Sequence, residues 1–283
     1  MSIWTLAIAD NHAGSPYGLS KPCYLQKPIK NDSGAYKDWT DTKLYLHNRL
    51  RQQGLDFANA VKKAVKNLPK IDYCYILSDT VEGSKDKEGG AELLTTDMSV
   101  QEDMAVDVLG DILTKAGNPK VWGARGTRFH VTSKGGRESD DGVYDRLPNM
   151  QGYDDVMFVE NAGLIWKLQH FVGRSSTFQG KQTHVVKQII QNTLGAAMEK
   201  EHDADVLLFG HVHYCVEAGF PMSHKRGYTL PCLKLRGESY GRQYNDFYDV
   251  GLLFWKQDKE GAPLQEHSIK IKVAYTKPRL WKG

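Results

Sequence analysis

The sequence lacks several features that would assign it to a special class of protein. It contains 4 cysteines among 283 residues, and no two stand in CxxC spacing, so we expect reduced thiols rather than a disulfide framework. No apolar run reaches eighteen residues, so no transmembrane helix is predicted. The net charge of +3 is too small to indicate nucleic acid or an anionic membrane as a partner by itself. These absences favour a globular protein of the cytoplasm.

The amino terminus and the composition agree with that expectation. The first residues, MSIWTLAIAD, lead directly into an apolar run, and they carry neither a basic segment nor a cleavage site, so no secretory signal is predicted. A hydrophobic fraction of 40% and a charged fraction of 25% are typical of a globular chain.

Apolar periodicity predicts helices that alternate with strands. Helical spacing covers residues 42–66, 99–115 and 182–199. Ser99 and Glu102 stand in the positions of a capping box, which predicts that the second helix opens at Ser99.

The later part of the chain has a different pattern. Residues 132–155 are rich in glycine and acids and are predicted as a loop with one helical turn. After residue 206 the apolar residues fall into short β segments. We therefore predict one α/β domain over residues 1–283, whose last third, about 206–283, is rich in strands.

Four fragments that carry histidine or carboxylate side chains follow apolar runs typical of strands. These runs are residues 3–8, 73–77, 164–168 and 206–209. In an open α/β sheet, ligands collect outside the carboxyl ends of the strands, so fragments that are distant in sequence can converge there. The side chains concerned are Asp10, His12, Asp79, His170, His211 and His213.

Imidazole and carboxylate groups in this number indicate a site for two metal ions. Such ligands suit Mn, Fe, Zn, Co or Ni. Asp79 is the expected bridge, because a carboxylate can share its two oxygens between cations about 3.5–4 Å apart. His184 is the alternative to His170, but it stands early in a predicted helix, where a surface or capping role is favoured.

The order of these motifs resembles that of the calcineurin-like metallophosphoesterases. Asp10-Asn11-His12 matches Asp-x-His, Ser78-Asp79 matches the Gly-Asp turn, and Gly210-His211-Val212-His213 matches Gly-His-x-His. The match spans residues 10–213. The resemblance implies a four-layer α/β/β/α sandwich with two mixed sheets.

One motif departs from the family pattern. Where the family has Gly-Asn-His, this chain reads Gly126-Thr127-Arg128-Phe129-His130, as in a branch frequently encoded by bacteriophages. The resemblance implies that Thr127 replaces the asparagine ligand and that the catalytic histidine is displaced to His130. The resemblance implies that His130 acts as a general acid or stabilises charge near the substrate phosphate.

The resemblance also implies a division of the ligands between two divalent transition metal ions, with Mn as the first expectation. Asp79 would bridge the ions. The remaining ligands would be Asp10, His12 and His213 at the first ion, and His170 and His211 at the second.

The implied activity is hydrolysis of a phosphate ester by in-line attack of a metal-activated hydroxide. A phosphodiesterase or nuclease acting on a nucleotide or nucleic acid is favoured, because cations flank the motifs and would attract a polyanion. The alternatives are a phosphomonoesterase for phosphoproteins or metabolites, and a catalytically weak copy of the fold that serves as a binding subunit. The flanking cations are Lys21, Lys27, Lys30, Arg125, Arg128 and Lys134.

Overall fold

Strands and helices alternate along the first two thirds of the chain. The computed structural model describes residues 2–25, 41–83, 93–127, 139–175, 177, 179–219, 224–236 and 248–272. In chain order the first elements are β1 (Ile3–Ala9), α1 (Asp41–Val65), β2 (Tyr73–Leu77), α2 (Met98–Lys115), β3 (Lys120–Ala124), α3 (Ser139–Tyr144) and β4 (Met150–Asp154). They are followed by β5 (Val156–Asn161), β6 (Leu164–Gln169), α4 (Lys181–Ala197), β7 (Val206–Phe209), β8 (Val216–Gly219), β9 (Arg226–Thr229), β10 (Gly251–Gln257) and β11 (Gln265–Lys270).

The strands form two mixed sheets. The first sheet has the order β11-β10-β1-β2-β3-β4, in which β1 to β4 run parallel and β10 and β11 pair antiparallel. The second has the order β5-β6-β7-β9-β8, with β6, β7 and β9 parallel. The carboxyl ends of β1 and β2 therefore share one edge of the first sheet, and those of β6 and β7 share one edge of the second.

The two sheets pack face to face with helices outside. Alternate residues of β1 show this: Ala7 and Ala9 face the second sheet, whereas Leu6 and Ile8 face the helices. The core between the sheets contains large aromatic side chains, including Trp166 and Trp255, whose rings meet edge to face at 5.4 Å. Side chains of α1, α2 and α3 cover the first sheet, and α4 covers the second through Val185 and Ile189. The predicted α/β/β/α sandwich with two mixed sheets is confirmed.

The predicted helices are present with small shifts of their ends. The capping prediction is wrong, because α2 begins at Met98 and its N-cap is Asp97, whose side chain accepts a hydrogen bond from the Ser99 backbone N–H. The carboxylate of Asp97, two residues before Ser99, accepts a hydrogen bond from an N–H group of the first turn, which is what an N-cap side chain does.

Residues 132–155 contain more structure than a loop with one turn. Helix α3 occupies 139–144, and β4 follows at the edge of the first sheet. The β4 sequence MQGYD has glycine and an acid, which are depleted in strands, so its pattern gave no strand signal. That residues 1–283 form one domain stays a prediction. No helix in the described part of the chain is long and apolar enough to cross a bilayer.

Candidate metal centre

The six predicted ligands lie together where the two sheets meet. Backbone hydrogen bonds extend the strand pairing into the loops that carry them: Asp10 N–H donates to Ser78 O at 2.9 Å, and Gly210 N–H donates to His170 O at 3.0 Å. The side chains form two groups of three, each with ligand atoms within 4.8 Å of one another. We call Asp10, His12 and His213 the first triad, and Asp79, His170 and His211 the second triad.

The first triad is buried and closely spaced. The Nε2 atoms of His12 and His213 are 3.1 Å apart, and His213 Nε2 is 3.1 Å from Asp10 Oδ1. His12 Nε2 lies 3.9 Å from the same carboxylate oxygen. Two imidazole nitrogens and one carboxylate oxygen therefore converge on one point, which is the arrangement that a cation ligated by these groups needs.

The second triad has a more open rim. His170 Nε2 lies 3.1 Å from Asp79 Oδ2, and both side chains are buried. His211 is partly exposed, and its ring lies 5.6 Å from that of His170 and 4.8 Å from that of Phe171. Phe171 is 56% exposed, so an aromatic surface borders this triad on the solvent side.

The two triads adjoin each other. The backbone N–H of His211 donates to both oxygens of Asp10, at 3.0 and 3.1 Å, so a residue of the second triad positions a carboxylate of the first. A side chain at position 210 would collide with Asp10 and His170, at 3.0 and 2.9 Å from its Cβ, so only glycine fits between the triads.

The backbone of the site is strained. Six of the ten non-glycine residues with positive φ in the described part of the chain carry or flank these ligands. Such a conformation costs on the order of 1–3 kcal/mol per residue and persists where the surrounding structure enforces it, most often at functional sites. The residues are Asp10 (54°), His12 (49°), Ser78 (27°), Asp79 (46°), His211 (70°) and His213 (59°).

Neighbouring groups fix the orientation of two imidazoles. His170 Nδ1 donates to Leu77 O at 2.8 Å, which leaves Nε2 directed at Asp79. His12 Nδ1 lies 2.9 Å from Glu82 Oε2, which leaves its Nε2 directed at the first triad. A hydrogen bond from the second ring nitrogen to a carboxylate or carbonyl is the usual support of a metal-ligating histidine.

The ionisation of the triads shows how strongly this site attracts positive charge. Burial acts to lower the pKa of His170, but the carboxylates of Asp79 and Asp10 raise it to about 10. Burial acts to raise the pKa of Asp10, but His213 lowers it below the usual value. Burial and the neighbouring His170 lower the pKa of His211 to about 4. Without a metal, a protonated His170 offsets part of the negative charge of these two carboxylates.

The Gly126-Thr127 segment borders Asp79. The Thr127 backbone N–H donates to Asp79 Oδ1 at 2.9 Å, and the Thr127 hydroxyl lies 3.2 Å from the same oxygen. Gly126 N–H donates to Asp140 at 2.8 Å, and Asp140 also accepts the Thr80 hydroxyl at 2.6 Å. Thr127 therefore contacts the carboxylate of Asp79, and Asp140 holds this segment against the loop of Asp79.

Several predicted residues lie outside the described residues or outside the triads. His130, Arg128, Lys27, Lys30 and Lys134 belong to the first group. His184 is on α4 and packs against Gly173. Of the predicted flanking cations that the structure describes, Lys21 pairs with Asp107 and Asp111, and Arg125 pairs with Asp141, Asp154 and Asp155.

Sequence reasoning missed four residues that border the site. Lys234, whose Nζ donates to Glu82 Oε2 at 2.8 Å, had one detectable signal, since it is a lysine within an apolar β segment. Asp140 was concealed in a stretch rich in acids, and Glu82 and Phe171 stand next to the predicted ligand motifs, but no pattern in the sequence gives either of them a role.

Comparisons with known proteins find only distant structural similarity. No family model and no curated protein matches the chain. Wild-type Vps29 complexed with zinc from Entamoeba histolytica is 12% identical, with 95% of this chain and 100% of that chain covered and a TM-score of 0.40. Vps29 from Chaetomium thermophilum is 10% identical, with coverage of 95% and 100% and a TM-score of 0.39.

A conserved uncharacterised protein from Streptococcus pneumoniae TIGR4, described as a predicted phosphoesterase, is 8% identical. It covers 95% of this chain and 98% of its own, with a TM-score of 0.35. Similarity of this extent carries no argument about activity, so the chemistry must follow from the residues of the site.

Proposed function

We propose that this chain is a metal-dependent phosphoesterase of the calcineurin-like type, with the two triads as the ligands of two divalent transition metal ions. The observation that carries the proposal is the convergence of two adjoining histidine–carboxylate triads at strand ends. The donors fit such ions, because the site offers imidazole nitrogens and carboxylate oxygens with no thiolate among the six. Manganese is the first expectation, followed by iron, zinc, cobalt and nickel.

The residues of this chain would divide the work as follows. The loops hold the six donors. Glu82 contacts Nδ1 of His12 and Leu77 O contacts Nδ1 of His170, so that the Nε2 atom of each ring faces the metal site. When bound, a pair of divalent ions lowers the pKa of water to near neutrality and holds the phosphoryl oxygens for in-line displacement. Asp79 is the proposed bridge between the triads. The Thr127 N–H donates to the Asp79 side chain, and the His12 N–H donates to the Asp79 backbone carbonyl at 2.9 Å.

His130 is the proposed general acid. A histidine near the leaving group would deliver a proton to the ester oxygen as the bond to phosphorus breaks, an effect typically worth about 10²–10⁴-fold. The proposal for His130 rests on its place three residues after Thr127, whose backbone contacts Asp79.

A diester of a nucleotide or nucleic acid is the proposed substrate class. Phe171 supports it, because an exposed aromatic ring beside His211 can stack on a base attached to the phosphate under attack. Pairing of Lys21 and Arg125 with acids removes part of the expected cationic field, so stacking is the stronger support. The competing class is phosphomonoesters of proteins or metabolites.

A screen of two chromogenic substrates tests this function. The purified chain is loaded with Mn²⁺ and assayed on bis-p-nitrophenyl phosphate and p-nitrophenyl phosphate, with a single-stranded DNA nuclease assay in parallel. Faster turnover of the diester is expected. Faster turnover of the monoester would support the monoesterase alternative. Binding of two Mn²⁺ ions without turnover of any substrate would support the alternative of a binding subunit.

A further inference from the structure

His12 of the first triad is one end of a row of three buried polar side chains that contact one another. His12 Nδ1 is 2.9 Å from Glu82 Oε2, and Lys234 Nζ donates to the same oxygen at 2.8 Å. The exposed fractions of these side chains are 2%, 1% and 3% for His12, Glu82 and Lys234. A lysine is almost never buried to this extent unless it is paired. The position of one carboxylate oxygen is therefore set by the imidazole and by the ammonium together.

The backbone of Lys234 is fixed to the loop that carries the first triad. Lys234 forms a β-bridge with Gly18. Its neighbour Leu233 donates its N–H to the carbonyls of Ala9 and Asp10, each at 3.2 Å. Leu235 N–H donates to Tyr17 O at 2.8 Å. The segment that presents the ammonium thus runs along the loop that presents Asp10 and His12, so the ammonium and the ring keep a fixed separation.

Stability alone is a poor explanation for this arrangement. Removing two charges from water costs several kcal/mol per ion, and a buried ion pair is often no more stable than a packed apolar pair. The Lys167–Glu201 pair offers a comparison, because its separation is also short, at 2.7 Å, but its glutamate is 35% exposed. In the described part of the chain, its hydrogen bonds and ion pairs include none of the six ligands. The Lys234–Glu82 pair differs in being fully enclosed and in contacting a ligand.

We propose that Lys234 is a positioning residue for the first metal ion and acts through Glu82 on His12. The ammonium holds Glu82 Oε2 in place, and this oxygen lies 2.9 Å from His12 Nδ1, so that the opposite ring nitrogen, Nε2, is directed into the first triad. The inference rests on the proposed two-metal function, because it concerns the affinity of one of the two ion sites.

Calorimetric titration of the metal-free full chain with Mn²⁺ tests the proposal. In K234M, one of the two binding events should weaken by about tenfold or more, which is the usual cost of losing an outer partner of a ligating histidine. The other event should keep its affinity. K167M removes the lysine of the comparison pair and should leave both events unchanged.

A double mutant separates positioning from a general loss of structure. E82Q keeps the size of the side chain and should weaken the same event by itself. In the E82Q background, K234M should change the affinity by less than about twofold, because the path through Glu82 is already broken. If K234M does not fold, E82Q decides alone, and unchanged affinity of both events in E82Q would overturn the proposal.

Three further results have definite meanings. Wild-type affinity in K234M overturns the proposal, and so does an equal loss at both events, which indicates a structural role. If K234M also lowers the Mn²⁺ affinity tenfold in the E82Q background, Lys234 does not act through Glu82, and this result overturns the proposal. Failure of the wild-type chain to bind two Mn²⁺ ions overturns the proposed function itself, which distinguishes that failure from failure of this inference.

Discussion

The two triads differ in what supports their histidines and in how much solvent reaches them. In the first triad, His12 is backed by the buried Glu82–Lys234 pair. In the second triad, His170 is backed by a backbone carbonyl, and His211 lies partly exposed beside Phe171. An imidazole backed by a carboxylate is a more basic ligand than one backed by a carbonyl. We therefore expect the first triad to hold its ion more tightly, and the second to be the side that substrate reaches.

Asp79→Asn should have the largest effect, because Asp79 contributes to the second triad and is the proposed bridge to the first. Turnover of bis-p-nitrophenyl phosphate should fall by about 10³-fold or more. Elemental analysis after Mn²⁺ loading should show that at least one ion is lost. Asp111→Asn, at an exposed position of α2, is the control and should keep full activity. If Asp79→Asn and His211→Ala both keep full metal content and activity, the ligand assignment is wrong.

His130→Ala should have the next largest effect. Turnover of a diester with a poor leaving group should fall by about 10²-fold, because no proton is delivered to the leaving oxygen. Metal content should stay at the wild-type value. His224→Ala, at an exposed position, is the matched control. Unchanged turnover would remove the proposed role, and loss of metal would make His130 a ligand instead.

The affinity of the second triad for Mn²⁺ should depend on pH. His170 has its pKa raised to about 10, so it is protonated below that value and must release its proton when an ion binds. Affinity should therefore rise with pH, by about tenfold per unit between pH 7 and 9, and level off near pH 10. Calorimetry in two buffers of different ionisation enthalpy should record about one proton released at pH 7. No proton release would contradict the raised pKa of His170.

Phe171→Ala should have the smallest effect and tests the open side of the second triad. The KM for a dinucleotide diester should rise by about tenfold, because base stacking contributes roughly 1–3 kcal/mol. The metal content and the turnover number should change little. Leu194→Ala removes another exposed apolar side chain, on α4, and should leave KM unchanged. If the two variants behave alike, Phe171 has no part in substrate binding.

Most of the fold and the six candidate ligands could be predicted from the sequence for one physical reason. Apolar runs long enough to be buried strands end at ligand-type residues, and the ends of parallel strands meet. Asp10 follows such a run directly, and Asp79 follows the next one after a single serine, Ser78. The edge strand β4 could not be predicted in this way, because an edge strand needs little burial and its sequence carries no apolar alternation.

The support of the ligands could not be read from the sequence. Glu82 and Lys234 are 152 positions apart, and only the folded chain shows that their charges meet behind His12. A lysine in an apolar segment indicates that a buried acidic partner exists, but it does not indicate which residue the partner is. The capping prediction at Ser99 shows the same limit at short range, because Asp97 and Ser99 both had suitable side chains and only the backbone geometry selected Asp97.

A crystal structure of the chain grown with Mn²⁺ tests the central claim most directly. Anomalous difference density should show two peaks about 3.5–4 Å apart, with Asp79 between them. One peak should be bound by Asp10, His12 and His213, and the other by His170 and His211. Two fully occupied peaks at these residues would establish the centre. A single peak, or peaks away from the two triads, would contradict it.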